Sequence, residues 1–148
     1  MQTSPTADRS RAFTLVEILI VVVILGILAS IVLAGWGDVT NDTSQKATYY
    51  ELQKLRKAVG VYQVRNSARL PPVTVGDGTW GPLVGISGDY LMAPPINAWV
   101  GAINGRKIVF GTGPDANYQS DYGWIFNTTT GDIWAGGFDA DDKPLPRN

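Results

Sequence analysis

A chain of 148 residues has room for one modest core and no surplus for a second. Its formal net charge is −1 with no strong run of either sign, so nothing recommends nucleic acid as a partner. Cysteine and histidine are both absent, so disulfide staples, thiolate nucleophiles, Cys/His zinc sites and imidazole acid–base catalysis are excluded.

Residues 1–12 are polar and carry Arg9 and Arg11 close to the apolar run that follows. By the positive-inside rule this flank stays in the cytoplasm, and the chain beyond the membrane faces outward. From residue 18 to residue 37 no side chain is charged, and Ser30 is the only hydroxyl. The run over 13–36 supplies about 20 residues that span ~30 Å as a helix, the thickness of a bilayer core. Its Val/Ile bias is poor for a helix in water. In lipid the backbone has to satisfy its own hydrogen bonds, and that requirement overrides propensity. One transmembrane helix is therefore expected over 13–37. The competing reading is a secretory signal peptide cut after Val32-Leu33-Ala34. Two features count against it: the run is longer than a signal core, and Glu17 sits inside it, where an unpartnered carboxylate is costly.

Over 38–68 the pattern becomes amphipathic. Tyr49, Leu52, Leu55, Val59 and Tyr62 recur at helical spacing, with Glu51, Lys54, Lys57 and Arg65 on other faces. The apolar stripe reads as packing against the rest of the domain, and Glu51 with Lys54 as a minor i,i+3 surface pair. Asp38, Asn41, Asp42 and Ser44 either cap or interrupt the join, which leaves one rod or two. A continuous helix over 13–68 would measure roughly 80 Å at about 1.5 Å per residue. Pro71 and Pro72 end it.

Residues 69–148 carry the punctuation of a small antiparallel sheet. Short β-prone runs occur at 107–110, 122–126 and 132–135, and the last two flank Asn127-Thr128-Thr129-Thr130-Gly131, which reads as a hairpin. Residues 73–105 are mostly loop, broken by Gly and Pro, and loops of that length are often interaction surfaces. The fold class expected is α+β: a long N-terminal helix, half transmembrane and half amphipathic, packed on a small C-terminal antiparallel head. Trp80, Trp99, Trp124 and Trp134 supply a core for a head without disulfides, with a sugar- or ligand-stacking face as the alternative. Gly111-Thr112-Gly113-Pro114 lacks the lysine and the helix signal of a phosphate-binding loop. Asn41-Asp42-Thr43 and Asn127-Thr128-Thr129 match the glycosylation sequon, a motif common by chance. No pair among the remaining carboxylates, Lys, Tyr and Ser/Thr is placed for catalysis, so no enzyme is read here.

The N-terminus also resembles a known pattern. Ala12-Phe13-Thr14-Leu15-Val16-Glu17, behind Arg11 and ahead of a Val/Ile-rich helix, is similar to the processing motif of type IV pilins and type II secretion pseudopilins. The resemblance implies a prepilin peptidase that cuts between Ala12 and Phe13, removes residues 1–12 as a leader and methylates the new amino terminus of Phe13. It implies too that Glu17 pairs with the N-terminal ammonium of a neighbouring copy in a helical filament. Two charges that are each costly in lipid become tolerable together there, and their pairing sets the axial register. Two positions depart from the pattern. Ala12 stands where the family usually has Gly, and Ala34 where many members have Pro, with Gly35 and Gly37 as another source of flexibility.

Farther along, Asp89-Tyr90-Leu91-Met92-Ala93-Pro94-Pro95-Ile96-Asn97-Ala98-Trp99-Val100-Gly101 resembles, in degraded form, a loop of the major pseudopilins of type II secretion. Ala98 replaces a Pro of that pattern and Val100 is extra. The lack of cysteine fits this group better than type IV pilins, many of which close a C-terminal loop with a disulfide. The resemblance implies a single-pass inner-membrane subunit with a pilin-like head in the periplasm. Its partners would be copies of itself, other inner-membrane components of the secretion system and minor pseudopilins. A type IV or competence-type pilin for adhesion, motility or DNA uptake is the alternative, and a membrane-anchored ligand-binding domain is the alternative of another class. Asp139, Asp141 and Asp142 are candidate metal ligands, because clustered carboxylates are the oxygen donors calcium takes, with Asp115 or Asp121 as additions. The resemblance implies calcium in a C-terminal loop, and the residues themselves point to no other cofactor. The spacing does not match an EF-hand, and a solvated acidic turn before Lys143-Pro144 is the competing reading.

Overall fold

The structure, a computed structural model, describes residues 14–76, 78–85, 90–101 and 103–147, and of residues 31–39 the backbone alone. Helix α1 spans Leu15–Arg65 and is followed by a 3₁₀ turn at Gly81–Leu83 and strands β1 (Ile108–Phe110), β2 (Trp124–Phe126) and β3 (Ile133–Ala135). The chain divides into two compact units, one ending at Val39 and one running from Thr40 onward.

Polar residues near the division do not break α1. Ser44 Oγ donates to Thr40 O at 2.9 Å, and Lys46 Nζ lies 2.7 Å from Asp42 Oδ2 one turn earlier. Such side chains bond along the helix instead of offering the backbone another conformation. The helix ends at Arg65, short of the expected residue 68. Asn66 N–H bonds back to Tyr62 O at 3.0 Å and Ala68 N–H to Gln63 O at 2.8 Å, while Ser67 and Ala68 take left-handed φ values of 55° and 62°. That is a C-terminal cap built without glycine, reached before the proline pair.

In the second unit, α1 turns Leu52, Leu55, Ala58 and Val59 into a core whose largest members are Trp80, Trp124, Phe126 and Phe138. Tyr62 packs at its margin against Tyr90, with ring centroids 5.6 Å apart. Tyr49, first in the expected stripe, is instead exposed, and Thr48 takes the buried position beside it. Trp80, Trp99 and Trp124 are buried and Trp134 is half-buried, so these four build the core and, among the described residues, leave no row of open indole rings for stacking a ligand.

The sheet has the order β1-β2-β3. Strands β2 and β3 are antiparallel and joined through the expected hairpin, where Asn127 Oδ1 accepts the Thr129 and Thr130 N–H groups and Gly131 supplies a φ of +83°. Strand β1, however, runs parallel to β2, pairing Ile108 with Trp124, so the sheet is mixed rather than antiparallel. The reason lies in the connection: residues 111–123 form a link of about a dozen residues, the length a parallel return needs and a tight hairpin does not.

Asn97 lies at the centre of the head, fully buried. Its Oδ1 accepts from Trp99 N–H at 2.9 Å, Val100 N–H at 3.0 Å and the Thr48 hydroxyl at 3.1 Å. Its Nδ2 donates to Gly123 O at 2.8 Å and Gly136 O at 2.9 Å. The main chain can come this close only where no Cβ intervenes: one added at Gly123 would lie 2.1 Å from Gly105 O, and one at Gly136 would lie 2.4 Å from Tyr122 O. Because its buried partners would be left unpaired, Asn97→Ala is expected to lower the unfolding free energy of the solubilised full chain by about 3 kcal/mol. Tyr49→Ala should change it by less than about 0.5 kcal/mol, both read by denaturant titration of tryptophan fluorescence.

Candidate assembly segment

The first turn of α1 is fixed by a reciprocal pair of side chains. Glu17 N–H donates to Thr14 Oγ1 at 3.2 Å, and Thr14 N–H donates back to Glu17 Oε2 at 2.8 Å. The Thr14 hydroxyl donates to the same carboxylate oxygen at 3.0 Å. Together these form a capping box, which satisfies N–H groups that the start of a helix leaves without partners. A negative charge in the first turn also meets the positive end of the helix dipole. Glu17 therefore has a partner inside its own chain. The sequence reading of Glu17 as a charge awaiting a partner overlooked this, although the Thr-x-x-Glu spacing was its signal. Ala12 and Phe13, the expected processing residues, lie outside the described residues.

Beyond the cap and as far as Leu28, α1 is apolar on every side. The large apolar side chains from Leu15 to Leu28 are each between 51% and 84% exposed, with no sheltered stripe among them. A helix of this kind needs covering all round, by lipid or by other helices. Among the described residues no helix is long and apolar enough to cross a membrane. The described side chains of this stretch stop at Ser30, short of the 13–37 span expected from sequence.

In the head, the carboxylates singled out as calcium ligands point to separate partners. Asp142 meets the Arg56 guanidinium, Asp139 accepts backbone N–H groups, and Asp141 is exposed. Among the described residues no group of three or more acidic side chains is gathered where a metal ion could use it. Asp115 is a hub of its own. Its Oδ1 accepts the Tyr122 hydroxyl at 2.5 Å, and its Oδ2 accepts from Gln119 Nε2 and Gly137 N–H, each at 2.8 Å. This organises the 111–123 connection. Burial first, then the hydrogen bond to Asp115 and the negative charges of Asp115 and Asp121, hold the Tyr122 phenol above its ordinary pKa.

A family model described as a prokaryotic N-terminal methylation motif matches residues 8–33. The N-terminus thus carries a methylation motif of the prokaryotic kind. The Type II secretion system core protein G of Klebsiella pneumoniae is 37% identical over 69 residues, which covers 47% of this chain and 49% of that protein. The chain thus spans about half the length of the curated relative it matches. No solved structure matches the chain. The matched residues enclose both the capping box and the exposed apolar run from Leu15 to Leu28.

Removing the cap hydroxyl with Thr14→Ala is expected to cost about 1 kcal/mol at the helix start. It should appear as faster amide exchange at Glu17 in the full chain, with Thr14→Ser close to the original. For Tyr122, the fold favours the protonated phenol. Its contribution is therefore constant below the ordinary phenol range, near pH 10, and is lost as pH rises through that range towards the raised folded value. The stability advantage over Tyr122→Phe, about 1 kcal/mol at neutral pH, should shrink in denaturant titrations carried above about pH 10.

Proposed function

We propose that the protein is a pseudopilin of a type II secretion system. In this reading α1 anchors it in the inner membrane with the head in the periplasm. Prepilin peptidase cuts between Ala12 and Phe13 and methylates Phe13, and the chain polymerises through its apolar helix into a filament that drives protein export. Its partners are copies of itself, the inner-membrane components of the system and minor pseudopilins. The role is structural rather than enzymatic.

The observation that carries this reading is the union of an N-terminal methylation motif with a helix exposed and apolar on every side. Lipid before assembly and neighbouring helices after it meet the same need for cover, and the transfer costs little because both are apolar. Glu17 then has two partners in succession. The neutral donors of Thr14 serve it in the single chain, and the ammonium of a neighbouring amino terminus offers a stronger, charge-assisted bond in the filament.

The N-terminal mass of protein isolated from its native membranes is expected to correspond to a chain that starts at N-methylated Phe13. Glu17→Ala should abolish filaments while leaving the head folded, and deletion of the gene should stop exoprotein release. A chain retaining residues 1–12 would leave only an anchor. Loss of surface fibres with export intact would make the protein a type IV pilin instead.

A further inference from the structure

The turn formed by Asp139-Ala140-Asp141-Asp142 concentrates negative charge that needs a counter-charge. The structure supplies one from within the chain. Arg56, on the second half of α1, meets Asp142 fork to fork, with Nη1 2.5 Å from Oδ2 and Nη2 2.9 Å from Oδ1. The same guanidinium donates to Ile133 O from Nε at 3.1 Å and from Nη2 at 2.8 Å. The two side chains are only 33% and 17% exposed, so the pair is partly withdrawn from water. A planar guanidinium is suited to this double task, since it offers a bidentate face to a carboxylate and a further donor edge to a carbonyl.

The other carboxylates of the turn do not converge with Asp142. Asp139 Oδ1 accepts the Asp141 and Lys143 N–H groups, each at 2.9 Å, and Asp139 N–H donates to Lys143 O at 2.9 Å. Asp141 faces solvent, with Lys143 Nζ 3.9 Å away. Calcium takes six to eight oxygens converging on one point. Here the oxygens diverge, one carboxylate to a guanidinium, one to backbone amides and one to water, and Asp115 is filled by Tyr122, Gln119 and Gly137. The residues do not fit a calcium ion as they stand.

We propose that Arg56 takes the place of a divalent cation at the C-terminal turn, locking it to α1 and β3, so that the head holds its fold without calcium. This inference does not rest on the filament reading. The lock extends into the tail: Leu145 N–H donates to Gly137 O at 2.8 Å, and Phe138 bridges to Pro144.

The test uses the solubilised full chain, melted in excess EDTA and again in millimolar calcium chloride. The wild-type Tm is expected to be the same in both. Arg56→Ala should lower it by roughly 5–10 °C and speed amide exchange at Leu145, with no rescue by calcium. Arg56→Lys should recover only part of the loss, because an ammonium cannot fork. Should Arg56→Ala fail to fold, Asp142→Asn gives a graded version of the same loss, and the wild-type comparison stands on its own. A wild-type Tm that falls in EDTA or rises in calcium overturns the proposal, as does an Arg56→Ala variant as stable as the original.

Discussion

A buried primary amide is tolerable only when its donors and its acceptor are all met, and in this head that demand falls on Asn97. To satisfy it, α1 has to present Thr48, the chain after Pro95 has to turn at 97–100, and the backbone has to come within reach at Gly123 and Gly136. The apolar core supplies most of the driving force for folding, but that force has no direction. The amide gives it one. A slip of one residue at either strand would leave Nδ2 facing no carbonyl, and the penalty of an unmet buried donor would follow. The position of Trp99 depends on the same centre, because its N–H is bound there. Its ring then carries the Arg147 guanidinium at 3.8 Å, and Arg147 reaches on to Asn41 Oδ1 at 3.0 Å. The tail is thereby fastened to α1 through an aromatic surface.

The two parts of α1 answer opposite requirements with one backbone geometry. From Thr48 to Tyr62 the helix has an inside and an outside, and the inside is spent on the head. From Leu15 to Leu28 it has no inside at all. Such a surface is at odds with an isolated chain in water, and the methylation motif coincides with it. Without cysteine, the head draws its cross-links from polar side chains: Asn97 at the centre, Asp115 beneath the 111–123 connection and Arg56 at the C-terminal turn. Each joins segments far apart in sequence, as a disulfide would, but each works only while its geometry excludes water.

What could be read from the sequence was whatever repeats or punctuates. Helical spacing located Leu52, Leu55 and Val59, and the Asn127–Gly131 turn announced the β2–β3 hairpin. The α+β class followed from those alone. The parallel pairing of β1 was misjudged because strand direction is set by the length and course of the connection, not by the strand residues. Thr48, Asn97 and Arg56 gave no periodic signal, since a polar residue buried once has no pattern to belong to. The capping box was present as spacing but was eclipsed by a second reading of the same glutamate. For the carboxylates at 139–142, composition suggested donors for a metal. Only the fold revealed that the guanidinium of Arg56, 86 residues earlier in the chain, already claims one of them.

The small sheet also bears on how copies of this chain are able to associate. An outer strand with open carbonyls is a template on which a second chain can add a strand, the usual route to sheet-mediated aggregation. Here the outward carbonyls of β3 are taken, Ile133 O by Arg56 and Ala135 O by Phe138 N–H, and on the far strand Ile108 O accepts Gly76 N–H. Growth by strand addition is obstructed along β3, and at Ile108 on the β1 side. Where copies of this chain meet, the blockage at β3 weighs against cross-β growth from that margin.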